Sequence, residues 1–352
     1  MNQIDIVKQR IINQQLAGTE FKSAKEIVSW MGAMQAQDYA MVKWAIGVRL
    51  PGSTDEVIEQ AINNGEIIRM HMMRPTWHLI SSKDVKWMLA LTSPHLLRAM
   101  KSRWKALGLT DPIFKGSNFI IEKSLAKNGD MTRAELVNEL VKNKIKPDSL
   151  QTIHLVFNAE LNGIICNGPM RGKQFTYALL DNRVPKAKSL RTEDALAELA
   201  LRYFTSHGPA TVQDFAWWSG LPAADARSGL EMVKLKLKYM KDEYHTYWFD
   251  DRTVKECEIQ LVYFLPAYDE FMISYKNRSA SLPSKFFSNA ITSNGIFRPI
   301  IVANGNVIGT WSRKIKKERV ILESKFFRST EKLKKKEMAA AFEPYKAFLG
   351  MK

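Results

Sequence analysis

Cysteine is nearly absent. The two present, Cys166 and Cys257, are far apart and form no Cys-x-x-Cys pair. Neither a disulfide framework nor a zinc site is expected, and a reducing cytosol fits. Long apolar runs are also missing: no stretch approaches the ~20 apolar residues that cross a bilayer. The opening MNQIDIVKQRIINQQL alternates charged and apolar residues and has no secretory core. No amphipathic membrane anchor stands out, so no membrane role is expected. No G-x-G-x-x-G, P-loop or G-x-S-x-G motif sits between a strand and a helix, which argues against nucleotide hydrolases and α/β-hydrolases. Acidic charge is in deficit, with 36 Asp and Glu against 52 Lys and Arg, a net +16.

Such a surplus attracts polyanions, and a lysine-rich surface kept for solubility is the alternative. With 45% apolar and 25% charged residues the composition is that of a soluble globular protein, and 352 residues imply more than one domain.

Along the chain, one pattern recurs. Ile4–Leu16 has helical spacing, and Ser23-Ala24-Lys25-Glu26 is a capping box opening the next apolar run. Further helices are expected from Tyr39 and from Ser53. Strands Ile67–Met72 and Thr76–Ile80 flank Arg74-Pro75 as a hairpin with a cation at its tip. Helices over Ser82–Leu91 and His95–Trp104 follow. A second round has a helix Phe119–Lys127 ended by Asn128-Gly129, the box Thr132-Arg133-Ala134-Glu135, and a helix Leu150–Leu161. Strands Gly163–Asn167 and Gln174–Leu179 then flank a basic, glycine-rich tip. A third has a helix Asp194–Thr205, the box Thr211-Val212-Gln213-Asp214, helices Phe215–Ser219 and Ala223–Val233, and a hairpin of Leu235–Met240 with Tyr244–Phe249. Helix, capped short helix, further helix and two-stranded wing is the winged-helix form of helix-turn-helix, and three in series on a basic chain point to nucleic acid.

The last segment changes character. Gln260–Leu265 reads as a strand, and Arg298–Ala303 and Val307–Ser312 flank Asn304-Gly305-Asn306, a strong hairpin signal. Arg319–Leu322 could add a strand to a small antiparallel sheet or barrel. Lys314, Lys316, Lys317, Lys332 and Lys334–Lys336 add charge, read as a solvated face before a final helix ending near Leu349. The expected fold is therefore α+β: winged-helix domains at 1–110, 111–188 and 189–256, then an antiparallel β-barrel with a terminal helix at 257–352.

Between the apolar run that the Ser23 box opens and the helix expected from Tyr39 lies Met34-Gln35-Ala36-Gln37-Asp38. Amides at i and i+2 diverge on a helix but point the same way in an extended segment. Asp38 suits the N-cap of the next helix. Gln35 and Gln37 can thus face one surface together; the alternative is two ordinary polar residues at a helix end. The six histidines are scattered, His71 reads as structural, and no carboxylate or cysteine stands at ligand spacing, so neither a metal nor a cofactor is expected.

The stretches MGAMQAQDYAMVKWAIGVRL and RPTWHLISSKDVKWMLAL resemble the first winged-helix region of the bacterial AlkZ/YcaQ-type DNA glycosylases. LPAYDEFMISYKNRS and NGNVIGTWSRK resemble their C-terminal barrel region. Gln35-Ala36-Gln37 matches the Gln-Φ-Gln signature of the AlkZ-like branch. The resemblance spans nearly the whole chain and implies excision of N-alkylated purines from double-stranded DNA, with unhooking of interstrand crosslinks in some members. It makes Gln35 and Gln37 catalytic.

Amides make chemical sense there. Glycosidases acting on neutral sugars use two carboxylates. An N7-alkylated guanine is already cationic and leaves readily, so placing a water and stabilising an oxocarbenium-like sugar suffices. DNA contacts are expected from Arg74, Arg171, Lys173, Asn304 and Asn306. His78, in the matched Arg-x-Thr-x-His pattern, either shapes the active surface or packs inside. Asp269, in the matched barrel stretch, is expected to cap or orient a loop and has no chemical role. A cytoplasmic, nucleoid-associated monomer is expected, since three unlike wings suit one duplex better than a palindrome. A non-enzymatic winged-helix DNA-binding or regulatory protein is the competing reading, and an RNA-binding accessory protein a third.

Overall fold

The computed structural model describes residues 3–185, 187–250, 262–317, 319–328 and 333–351. Cys257, the expected boundary at 256/257, the start of the expected strand at Gln260 and Lys332 lie outside them. The chain divides into two compact units, one of residues 1–59, 197–218 and 222–352, the other of 60–196 with 219–221.

All three boxes form as reciprocal caps. Ser23 Oγ accepts the Glu26 N–H while the Glu26 carboxylate accepts the N–H of Lys22 and Ser23, starting the helix Ala24–Met31. The N–H of Thr132 reaches Glu135 Oε2 at 2.7 Å ahead of the helix Arg133–Lys142. The N–H of Thr211 reaches Asp214 Oδ2 at 3.0 Å ahead of Val212–Ser219. Each satisfies backbone donors that the first helical turn leaves without partners. A further box, Asp148 with Gln151, opens Ser149–Leu161 one residue earlier than apolar spacing alone indicates.

Some expected boundaries move. Ser82–Leu91 and His95–Trp104 are one helix, Val85–Ala106, running through Pro94. Proline removes one N–H from a helix interior. Here Trp87, Met88, Leu89 and Leu96, on both sides of it, are buried, so packing outweighs the lost bond. The helix expected at Phe119 begins at Asp111, where Pro112 occupies the first turn, a place that tolerates a missing N–H.

In the second unit Ile67–Met72 pairs antiparallel with Arg74–Ser81, with His71 opposite Trp77 and Met70 opposite His78. The turn is tight: Met73 has φ +57°. Gly220 lies against it with φ +69°, and a Cβ there would come within 2.3 Å of the Met73 carbonyl oxygen. The strands Met131–Thr132, Thr176–Leu179 and Ile165–Asn167 form a three-stranded sheet in that order. Its core joins Trp104, Phe114, Leu136, Leu140, Phe157 and Tyr177.

In the first unit, Lys238–Lys241 pairs with Thr246–Phe249. The C-terminal strands do not close into a barrel among the described residues. They form an open four-stranded antiparallel sheet in which Val262–Leu265 and Arg319–Phe326 are the edges, with Ile300–Ala303 and Asn306–Lys316 between them. The strand Arg319–Phe326 pairs with Asn306–Lys316 along one side, and most of it is exposed. The helix Lys335–Phe348 covers the sheet through Phe342 and Tyr345, which pack edge-on against Trp311. The Asn-Gly hairpin forms as expected, with Asn304 at φ +48° and Gly305 at φ +78°. Gly305 is needed twice, because a Cβ would also meet Val7 Cγ1 at 2.6 Å.

Candidate active site

Gln35 ends a short strand, Ala33–Gln35, that follows the helix Ala24–Met31. Ala36 is fully buried, and the chain then bends at Gln37 and Asp38. Asp38 caps the helix Tyr39–Gly47, its Oδ1 accepting the Met41 N–H at 3.0 Å. The motif is therefore clamped between a strand and a capped helix. The two amides do not share one environment: Gln35 is 6% exposed, whereas Gln37 is open to solvent. The extended geometry stops at Gln35, so the period-two alternation that would align them stops there as well.

Behind the motif lies a buried polar network. Glu270 is 1% exposed. Its Oε1 accepts the backbone N–H of Gln35 at 2.7 Å, and its Oε2 accepts Trp218 Nε1–H at 3.1 Å and the Ser274 hydroxyl. His207 Nε2 stands 3.7 Å from Oε2. Burial pushes the His207 imidazole below its ordinary range, against the opposing pull of Glu270. Asp269 is the N-cap of the turn Glu270–Ile273 and binds Arg49. Tyr268, just before it, is held at φ +58°, an unusual backbone for a tyrosine. Burial, then the nearby Asp38 carboxylate, raises its phenol above the ordinary range.

In the second unit Arg74 is half-buried at the hairpin turn. His78 is 1% exposed, its Nδ1 at 2.9 Å from the Thr76 carbonyl oxygen, so packing inside is what is observed. His71 is structural, as expected, bonded through Nδ1 to the buried Glu160. Arg171 is tied back within its own unit, Nη1 to Glu135 Oε1 at 2.7 Å and Nη2 to the Asp130 carbonyl at 2.6 Å. Lys173 is exposed and lines a cleft of about 470 Å³ with Arg69, Arg133, Trp77 and Phe175. Among the described residues, three cations and no carboxylate line it. The Arg69 guanidinium lies 4.1 Å from the Trp77 ring centre and 4.9 Å from that of Phe175. Asn304 and Asn306 are exposed in the first unit.

Sequence reading missed Glu270, Arg49, Arg69, Arg133 and Phe175. Arg133 lies within a recognised box, but Glu270 is 235 residues from Gln35 and nothing local pairs them.

A family model for DNA glycosylase AlkZ-like proteins matches residues 28–348, which includes the glutamine motif and the Asp269-Glu270 segment. The chain belongs to the AlkZ-like DNA glycosylase family. This AlkZ-like chain is 21% identical over 312 residues to the interstrand DNA cross-link repair glycosylase of Streptomyces sahachiroi, covering 82% of each chain. Its fold matches that of the solved Streptomyces sahachiroi DNA glycosylase AlkZ with a TM-score of 0.81 at 18% identity, over 99% of this chain and 97% of the other. The protein is thus a DNA glycosylase, a hydrolase of N-glycosidic bonds.

Proposed function

We propose that this glycosylase releases cationic N-alkylated purines of the N7-alkylguanine type from duplex DNA, with Gln35 and Gln37 as its catalytic amides. One observation carries the reading: in an AlkZ-like chain, Gln35-Ala36-Gln37 lies between a strand and a capped helix, with one amide at the surface and one just beneath it. An amide oxygen can accept a hydrogen bond from the attacking water and turn partial negative charge toward the oxocarbenium-like sugar. Glutamine does not titrate near neutral pH and cannot act as a strong base, so the leaving base must already carry positive charge.

DNA is held by the basic surfaces. Lys173 and Arg74 contact phosphates, with Asn304 and Asn306 at the sheet hairpin. The cleft around Arg69, Arg133 and Phe175 extends the basic surface beside Lys173. Arg171 stiffens its wing as well as adding charge, and His78 supports the hairpin from within. The Streptomyces relative's name concerns interstrand crosslinks, and a crosslink through guanine N7 is the same cationic leaving group tethered to a second strand. This chain would unhook such links as a monomer in the nucleoid.

The test is release of free base from duplex DNA carrying one N7-methylguanine, by wild type and by the Gln35→Ala/Gln37→Ala variant. Release lost in the double variant with DNA binding retained is the expected result. Release that persists in the double variant removes the glutamines from the mechanism. Absence of release by wild type from both this duplex and a crosslinked one removes the proposed substrate class.

A further inference from the structure

We propose that Glu270 is the positioning residue of the glutamine motif, a buried carboxylate that sets the depth and direction of Gln35 in the AlkZ-like site. The proposal rests on the glycosylase reading of Gln35 and Gln37 given above.

The geometry calls for a carboxylate. Oε1 accepts the backbone N–H of Gln35 at 2.7 Å. Oε2 accepts Trp218 Nε1–H at 3.1 Å and the Ser274 hydroxyl, with His207 Nε2 at 3.7 Å. Donors therefore approach both oxygens, and only an acceptor-only group satisfies both sides. An amide would turn its NH2 toward either Gln35 or the Trp218–Ser274 pair, leaving two donors facing each other in a buried site. A charge-assisted bond from a carboxylate to backbone N–H is also roughly twice as strong as a neutral one.

Glu270 is itself braced. Its neighbour Asp269 is gripped by Arg49 through two hydrogen bonds, and Gln14 Nε2 donates to the Glu270 carbonyl at 3.4 Å and to Tyr275 Oη at 2.9 Å. Tyr275 Oη in turn donates to the His207 carbonyl at 2.6 Å. The chain of contacts runs from the motif's own backbone into the rigid interior of the unit. At 1% exposure Glu270 cannot reach a DNA surface, so its effect on catalysis passes through Gln35. Positioning matters because a misplacement of ~1 Å near reacting groups can cost roughly 10² in rate.

The test uses the full chain with Glu270→Gln, which keeps size and packing. Single-turnover base release from the N7-methylguanine duplex is expected to slow by roughly 10²-fold. Salt-dependent DNA affinity should stay within about twofold of wild type, because no phosphate contact is touched. Amide hydrogen exchange across residues 33–38 should accelerate while exchange in the helix Val85–Ala106 stays unchanged. A folded Glu270→Gln protein with wild-type release, or with unchanged exchange at 33–38, overturns the proposal. If Glu270→Gln does not fold, Trp218→Phe and Ser274→Ala each remove one donor to Oε2. Slower release at unchanged affinity then supports the positioning role, and wild-type release by both overturns it. Should wild type release no base from any alkylated duplex, the substrate reading fails, and the exchange readout alone decides whether Glu270 holds the motif.

Discussion

Arg49 and Asp269 meet through two parallel hydrogen bonds, Nη1 to Oδ2 at 2.8 Å and Nη2 to Oδ1 at 2.9 Å, and neither side chain is exposed. The remaining guanidinium hydrogens go to the Gln14 carbonyl, the Ala45 carbonyl and Gln14 Oε1. All five donors of the guanidinium are used. The pair ties the end of the helix Tyr39–Gly47 to the segment that begins Glu270–Ile273, so the helix following the glutamine motif and the carboxylate beneath it share one anchor.

Removing one partner of this pair leaves a buried charge alone. Asp269→Asn is expected to cost about 3–5 kcal/mol of stability, and Arg49→Lys less. Lysine keeps the charge but cannot reproduce the fork. Urea unfolding checks this. A loss below about 1 kcal/mol, the range of an exposed pair, would show that the pair is not the anchor described.

The exposure difference within the motif separates folding from catalysis. Gln37→Ala should leave stability within about 0.5 kcal/mol of wild type, as for most surface substitutions. It should still slow base release by roughly 10², the scale of losing one preorganised polar group at the transition state. Duplexes carrying uracil, an uncharged base, should release nothing measurable with either protein. Efficient uracil release would refute the amide mechanism.

Lys173 and Arg171 are expected to differ. Lys173→Ala should lower the slope of log affinity against log salt by about 1, the signature of one lost phosphate contact. Arg171→Ala should lower it less, because Arg171 is already bound to Glu135 and to the Asp130 carbonyl. Equal slopes for the two variants would mean that the Arg171 ion pair opens on DNA.

Acid should act in two stages. The His207 imidazole is depressed below 6.5 by burial, so the folded state favours its neutral form. Its contribution is fully present above pH 6.5 and is lost as pH falls through the depressed folded value. Backbone N–H donors, that of Lys22 for Glu26 and that of Thr132 for Glu135, hold these capping carboxylates below 4.5. Their contributions are present above pH 4.5 and are lost below it, as pH passes through the lowered folded values. Thermal midpoints against pH should therefore begin to fall below 6.5 and steepen below 4.5. His207→Gln should flatten only the first stage.

Much of this architecture was legible without coordinates because its signals are local. A capping box is four consecutive residues, and Asn-Gly specifies a turn from two, so the boxes at Ser23, Thr132 and Thr211 and the hairpin at Asn304-Gly305 appear where expected. The glutamine motif, the surplus of positive charge and the family resemblance are likewise properties of the chain as written. Other features depended on folding. A helix continues through Pro94 because apolar side chains on both sides of it are buried, which no local propensity reveals. Sheet closure depends on where edge strands find partners, and here the strand Arg319–Phe326 stays an open edge. Gln35 and Gln37 look equivalent in sequence, yet one is buried and the other exposed because the strand ends between them. Glu270 comes to Gln35 from 235 residues away, and only chain packing makes that contact, since hydrogen bonding acts over ångströms whatever the separation along the chain.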